Sequence, residues 1–269
     1  MVKEKDEQKF KPYNLNNKLI SIDDINTILK RVNIENLKIN DLKNFQMAFV
    51  HKSYCKKKFE GNENLLEDKP SNCVDLQEEH NERIEFLGDS IVNASTNSYL
   101  YQRYKNQDEG FMTKLKTKLI SGEYLSQFAK YMDLKKFILI SRHVENMNGR
   151  NNDRILEDVF ESLICSIYLD LGFEYAEKFI LSTFEKYIDF NEIFIDDNYK
   201  DILLRFCQSK FCTTPIYCII ETYGPPHNRI FKILCKINDI NYKYGKGKSK
   251  KIAEQNAAEQ TLKHFKVIN

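Results

Sequence analysis

The sequence predicts an all-α domain followed by a small α+β domain with the element order α-β-β-β-α. Three observations carry this. Helical hydrophobic periods dominate from Asn81 to about Tyr187. After Asn198 the chain turns to short β-rich runs framed by two helical ones. The charge changes at the same place: residues 196–269 carry 13 Lys/Arg against 7 Asp/Glu, whereas residues 1–195 carry 28 against 32. A basic module on an acidic body suggests a polyanionic partner. At 269 residues, 42% apolar and 30% charged, the chain can bury a sizeable core.

Residues 1–18 are polar and read as a flexible tail, and 19–190 as the helical domain. "SIDDINTILKRVN" has Ser21 ahead of acids and an apolar period, a capped helix. "NDLKNFQMAFVHKSY" is a second, with Leu42, Phe45, Met47 and Phe49 facing inward. Residues 55–79, with Lys runs, Gly61 and Pro70, lack periodicity and read as an exposed loop or insertion. The helical stretch beyond them breaks near Gly110, Gly122 and "NMNGRNND", and residues 188–198 read as a linker. In 196–269, "YKDILLRFCQSK" is a helix, "PIYCIIETYG", "RIFKILCKIN" and "INYKYGKGK" are strands, and "SKKIAEQNAAEQTLKHF" is a helix. There is no internal repeat.

Seven cysteines, an odd number, lack C-x-x-C pairs, and the spacing of Cys207, Cys212 and Cys218 fits no zinc pattern. With a charged N-terminal stretch and no apolar run of membrane length, this predicts an intracellular, cytoplasmic setting without a membrane partner.

"HNERIEFLGDSIV" (80–92) sets three acids among apolar residues. At roughly 100° per residue, Glu82, Glu85 and Asp89 fall within about 60° of one another on a helix. Ile84, Leu87 and Ile91 lie on the other side. Gly88 costs about 1 kcal/mol of helix propensity against alanine, so its place mid-helix predicts close approach by another backbone or a ligand. "RILEDVFESLICSIYLDLG" (154–172) repeats the arrangement: Asp158 and Glu161 are helical neighbours at i, i+3, backed by Val159, Leu163 and Ile167. Packed side by side, the two helices would bring their carboxylates together, and converging carboxylates cannot all ionise without a cation. Oxygen donors with no His or Cys nearby favour Mg²⁺ or Mn²⁺. Neither helix supplies the Glu-x-x-His pair of a di-iron bundle. Spacing alone leaves this reading and that of ordinary solvated helix faces both open.

"NERIEFLGDSIV" resembles the signature stretch of the ribonuclease III family, N-E-R-L-E-F-L-G-D-S, and "EDVFESLICSIYLD" resembles its second acidic helix, roughly A-D-x-x-E-A-L-I-G-A-x-Y-L-D. "FVHKSY" is similar to the family's T-H-x-S-Y stretch, and "DEGFMTKLKTKLISG", which carries Glu109, to the segment between the acidic helices. Order and separation match too, from about Leu42 to Phe265. The resemblance implies a ribonuclease III-type catalytic domain working as a homodimer on double-stranded RNA. It implies that Glu85, Asp89, Asp158 and Glu161 hold Mg²⁺, with Mn²⁺ as a substitute, and that Glu82 and Glu109 support the site. Phe86 matches an aromatic residue of the dimer interface, and no small-molecule cofactor is implied. Cleavage would leave 5′-phosphate and 3′-hydroxyl ends. The alternatives are a non-cleaving dsRNA-binding dimer, as in interference with silencing, and an RNA-assembly scaffold. Both are disfavoured because all four matching acids are present. His51 matches a family motif, where a structural hydrogen bond is its expected role, and Cys165 is expected to be a small packed residue.

In the C-terminal part, Lys246, Lys248, Lys250 and Lys251 lie at or just before the last helix. Its positive N-terminal end favours phosphate there. Charge alone leaves open a Lys-rich solvated turn. "YGKGKSKKIAEQNAAEQTLKHF" resembles the end of the double-stranded RNA-binding domain, G-x-G-x-S-K-K-x-A-E-x-x-A-A. "GPPHNRIF" resembles its first β turn, which places His227 toward the minor groove. Such domains read A-form shape, 2′-hydroxyls and phosphates. Where the family's first helix often offers Gln-Glu, this chain has Leu204-Arg205, with Gln208 nearby.

Overall fold

The structure, a computed structural model, describes residues 10–35, 37–63, 66–190, 198–225 and 229–268. The chain divides into two compact units, Met1–Ile193 and Phe194–Asn269. The expected boundary at Asp196 and the minor-groove candidate His227 lie outside the described residues.

The first unit is helical. Ser21 caps α1 (Ile22–Lys30) with a capping box closed by Asp24, and Asp41 caps α2 (Leu42–Ala48). The long α3 (Glu82–Arg103) is followed by α4 (Glu109–Leu119), α5 (Gly122–Tyr131), α6 (Arg142–Asn146), α7 (Asp153–Leu171) and α8 (Phe173–Tyr187). Helix α7 is the axis of the unit, packing against α2, α3, α5 and α8. Its Leu156, Val159, Phe160, Leu163, Ile164, Cys165 and Ile167 are fully or almost fully buried. A helix apolar nearly all round must be interior. The single stripe expected on α7 is therefore too narrow a picture, because neighbours cover its other sides. Leu87 of α3, expected on the apolar side, is 37% exposed.

Two further expectations change in this unit. Residues 10–18 are not loose as far as they are described: Asn14 and Asn17 are buried and both donate to the Ile140 carbonyl, at 3.1 and 3.0 Å. Nor is 55–79 simply exposed. Phe59 and Leu76 join Val50, Tyr54 and Leu139 in a second small core, with Tyr13, Leu66 and Val74 packed against it. The rings of Phe10 and Phe59 meet at a tilt, their centroids 5.7 Å apart. These apolar residues come from distant stretches, so no local period reveals them.

In the second unit, helix α9 (Tyr199–Phe211) precedes β1 (Ile216–Tyr223), β2 (Ile230–Ile237) and β3 (Ile240–Gly247), and α10 (Lys250–His264) follows. The sheet is antiparallel in the order β1-β2-β3. Leu203 and Cys207 of α9, Cys235 and Ile237 of β2, and Ala257, Ala258 and Leu262 of α10 form its core. The glycines of "YGKGK" explain how tightly α10 sits on β3. A Cβ on Gly245 would stand 2.2 Å from the Ala257 amide nitrogen, and one on Gly247 2.6 Å from that of Ala253. Small residues on both sides permit this approach.

Candidate active site and RNA-binding elements

In the first unit, α3 and α7 meet at a glycine. A Cβ added to Gly88 would lie 2.1 Å from the Glu161 carbonyl oxygen. This is the backbone approach that a mid-helix glycine predicts. Glu85 and Asp89, one turn apart on α3, thus face Asp158 and Glu161 on α7. All four line one cleft of about 800 Å³, together with His51, Lys52, Glu82, Phe86, Arg154 and Glu157.

The acids of this cleft are not ordinary solvated ones. Glu161 is 8% exposed. Burial first, then the charges of Asp89, Glu157, Glu85 and Asp158, push its carboxyl up to about 8. Burial and the facing Asp158 raise Glu85 to about 7. Burial and Glu157 raise Asp158 to about 6, against the opposing pull of Arg154 and Lys52. Among the described residues, no hydrogen bond or ion pair holds the carboxyl of Glu85, Asp158 or Glu161. Nor, among those residues, do three His, Cys, Asp or Glu side chains form a ready-made ion-binding group. The carboxylates share a cleft without being drawn into a coordination shell. Such an oxygen-only, mutually repelling set, short of cations, fits a hard divalent ion.

The supporting acids differ. Glu82 accepts a 2.8 Å hydrogen bond from Lys52 Nζ, which holds its carboxyl below the usual range. Glu109 does not join the cleft lining. It is exposed in the first turn of α4 and accepts from Thr113 Oγ1 at 2.7 Å. Phe86 is 79% exposed at the cleft edge. His51 caps the 3-10 turn Lys52–Tyr54, its Nδ1 accepting from the Ser53 amide at 3.2 Å, and burial lowers its pKa to about 4.

Besides Lys52, sequence reasoning missed three residues. Glu157 lines the cleft, and its carboxyl lies where a Cβ on Gly122 would reach it at 2.5 Å. Asn93 donates to Asp89 Oδ1 at 2.8 Å. Arg154 brings positive charge to Asp158 and Glu85. The i, i+4 spacings of Asp89 with Asn93 and Arg154 with Asp158 were the available signals. Glu157 had none, since an acid beside an acid on a helix ordinarily points to solvent.

In the second unit, Ser249 caps α10 by accepting from the Ile252 amide at 3.2 Å, placing Lys250 and Lys251 in the first turn. Lys246 is on β3, its Nζ 5.9 Å from the centre of the Tyr223 ring. Lys248 follows β3, exposed. On α9, Gln208 is exposed, Arg205 pairs with Asp201 at 2.7 Å, and Leu204 lines a shallow recess with Lys200, Lys251 and Gln255.

Comparison with known proteins agrees with this geometry. Residues 41–188, more than half of the chain, match the family described as Ribonuclease-III-like. The chain belongs to the ribonuclease III family. Residues 199–264 match the double-stranded RNA binding motif. Ribonuclease 3 of Borreliella afzelii is 37% identical over 241 residues, which is 88% of this chain and 91% of that relative. Ribonuclease 3 of Protochlamydia amoebophila is 32% identical, covering 80% of this chain and 83% of the relative. A probable ribonuclease 3 of Acanthamoeba polyphaga mimivirus is 33% identical over 97% of this chain but only 48% of its own length. As a ribonuclease III family member with a double-stranded RNA binding motif, the chain is a double-strand-specific endoribonuclease that uses a divalent metal ion. Among the described residues, no helix is long and apolar enough to cross a membrane.

Proposed function

We propose that Glu85, Asp89, Asp158 and Glu161 hold the divalent ion, Mg²⁺ with Mn²⁺ as a substitute, and that phosphodiester hydrolysis takes place in their cleft. The observation that carries this is the pairing of two acids from α3 with two from α7 in one cleft, three of them pushed up by burial and by their neighbours' charges. Bound there, the ion supplies Lewis acidity, which makes a water nucleophilic toward phosphorus and offsets charge on the departing 3′ oxygen. The chain's residues hold the donors in place. Gly88 lets α3 approach α7, Asn93 orients Asp89, and Lys52 keeps Glu82 ionised while its charge also reaches Asp158. Arg154 moderates the repulsion between Glu85 and Asp158. The ends released would be a 5′-phosphate and a 3′-hydroxyl.

Glu82 acts at the cleft rim through Lys52, and Glu109 supports the site from α4 without lining it. Phe86 marks a homodimer interface. Lys246, Lys248, Lys250, Lys251 and Gln208, with His227, contact the duplex. The units are a catalytic domain over residues 19–190 and an RNA-binding domain over residues 196–269. The enzyme works in the cytoplasm and needs no small-molecule cofactor. Calorimetric titration of the full-length protein with Mg²⁺ tests the ligand assignment. Wild type should bind the ion, and Glu161→Gln should bind it at least tenfold more weakly. Equal affinities would reject Glu161 as a ligand.

A further inference from the structure

Close after Lys52 in the lining of the proposed catalytic cleft comes a basic turn that the four acids do not explain. Lys56–Phe59 forms a 3-10 turn between two buried residues, Cys55 and Phe59. Its geometry is fixed from below. The Lys56 amide donates to the Gln77 carbonyl at 2.8 Å, and Cys55 Sγ donates to the Glu78 carbonyl at 3.1 Å. Lys56 is spent on Glu78, at 2.5 Å. Lys57 and Lys58 are exposed, and among the described residues neither has an ion-pair partner.

The turn begins four residues after Lys52, which lines the cleft and bonds Glu82 across its edge. The segment returns to the same edge, where the Asn81 amide donates to the Val50 carbonyl at 2.9 Å. The charge of Lys58 reaches His51 in the cleft wall and helps to lower its pKa. Residues 55–79 as a whole hold seven acids against four lysines, but Glu67, Asp75 and Glu78 are paired with Arg142, Lys69 and Lys56. These pairs also use Lys56 and Lys69, so Lys57 and Lys58 are the cations left to the turn, with Glu60 as its acidic neighbour and Glu63, Asp68 and Glu79 elsewhere in the segment.

An acid-lined cleft repels the polyanion it must cut. Fixed, unpaired cations beside it lower that barrier. We propose that Lys57 and Lys58 form a phosphate-binding site at the cleft rim, through which residues 55–79 grip the backbone of the duplex RNA being cleaved. This rests on the function proposed above. Because Cys55 and Phe59 anchor the backbone of the turn, little backbone freedom is lost when it binds.

The test is a salt titration of long duplex RNA binding to the full-length protein in EDTA, where binding is read without cleavage. For K57A/K58A, the plot of log affinity against log salt should flatten by about 0.9 for each phosphate that a lysine no longer neutralises, up to about 1.8 if both engage phosphate. The charge-reversed K57E/K58E should bind more weakly still. Both side chains are exposed, so neither variant should lose the fold, and matching thermal melts would show it. If wild type binds and cuts duplex RNA while K57A/K58A keeps its affinity and slope, this inference fails and the proposed active site stands. If wild type binds no duplex, both fail.

Discussion

The α-carbon of Gly88 faces the backbone carbonyl of Glu161 so closely that a Cβ would lie 2.1 Å from that oxygen. This approach fixes both the packing of α3 on α7 and the separation of their carboxylates. Helix propensity alone predicts that Gly88→Ala stabilises the protein by about 1 kcal/mol. The obstacle is a backbone carbonyl, which cannot rotate aside, and overpacking costs about 1–3 kcal/mol or more. Net destabilisation by about 1–2 kcal/mol is expected, with loss of cleavage as α3 is displaced. Urea unfolding of the variant checks it, and a gain in stability would contradict the packing described.

Glu161→Gln should separate function from stability. It removes a buried charge from a cleft where neighbouring carboxylates repel it. Cleavage should fall by at least about a hundredfold, in the range that loss of one stabilising group costs an active site, while duplex binding persists. At pH 8 in EDTA the variant should melt no lower than wild type, because the carboxylate removed was uncompensated. A melting temperature several degrees below wild type would show that Glu161 serves the fold instead.

The raised acids predict a pH dependence of definite sign. Glu161, Glu85 and Asp158 stand at about 8, 7 and 6, above their ordinary carboxylate values. The folded, metal-free protein therefore holds protons that the unfolded chain has released. Stability from these groups is full at about pH 4 and is lost as pH rises through 6 to 8. Divalent ions favour the ionised form, so the stabilisation they give should grow over the same interval. Melting curves at pH 5.5 and 8, with and without Mg²⁺, measure both effects. An ion-induced shift larger at pH 5.5 than at pH 8 would contradict the assignment.

Phe86 is 79% exposed, a large apolar ring left in solvent at the cleft edge. If it lies on a two-fold interface, as its place in the family signature implies, sedimentation at micromolar concentration gives twice the 31.9 kDa chain mass. Phe86→Ala should shift the protein toward monomer. A wild-type monomer that cuts duplex RNA at every dilution would remove the interface.

Lys250 and Lys251 occupy the first turn of α10, where the helix dipole adds to their charge. Their joint replacement by Ala should weaken binding to every duplex sequence alike and flatten the salt dependence by up to about 1.8. An unchanged slope would make them a solvated face.

The elements readable from sequence were those whose signal is local. Ser21 announces its helix by capping chemistry, and Gly88 announces a close approach by its cost in helix propensity. Residues whose environment is assembled from distant segments were not readable. Asn14 and Asn17 are polar yet buried, because each donates to the carbonyl of Ile140, more than 120 residues away. Phe59 and Leu76 sit in a segment without a period but meet Tyr54 and Leu139 in three dimensions. In the cleft, two acid pairs were visible as helical spacings, while Glu157 was hidden because only the packing of α5 and α7 turns it inward. Glu109 shows the opposite case: its match to a motif did not bring it into the cleft lining.

If acids from α3 and α7 together hold the divalent ion for cutting duplex RNA, cleavage must depend on both the ion and Glu161. Incubating the purified protein with long duplex RNA, with Mg²⁺ and with EDTA, tests it most directly when the products are end-labelled. Short duplex fragments carrying 5′-phosphate and 3′-hydroxyl ends are expected with Mg²⁺, and intact RNA with EDTA or with Glu161→Gln. Cleavage that continues in EDTA, or that survives Glu161→Gln at the wild-type rate, would contradict it.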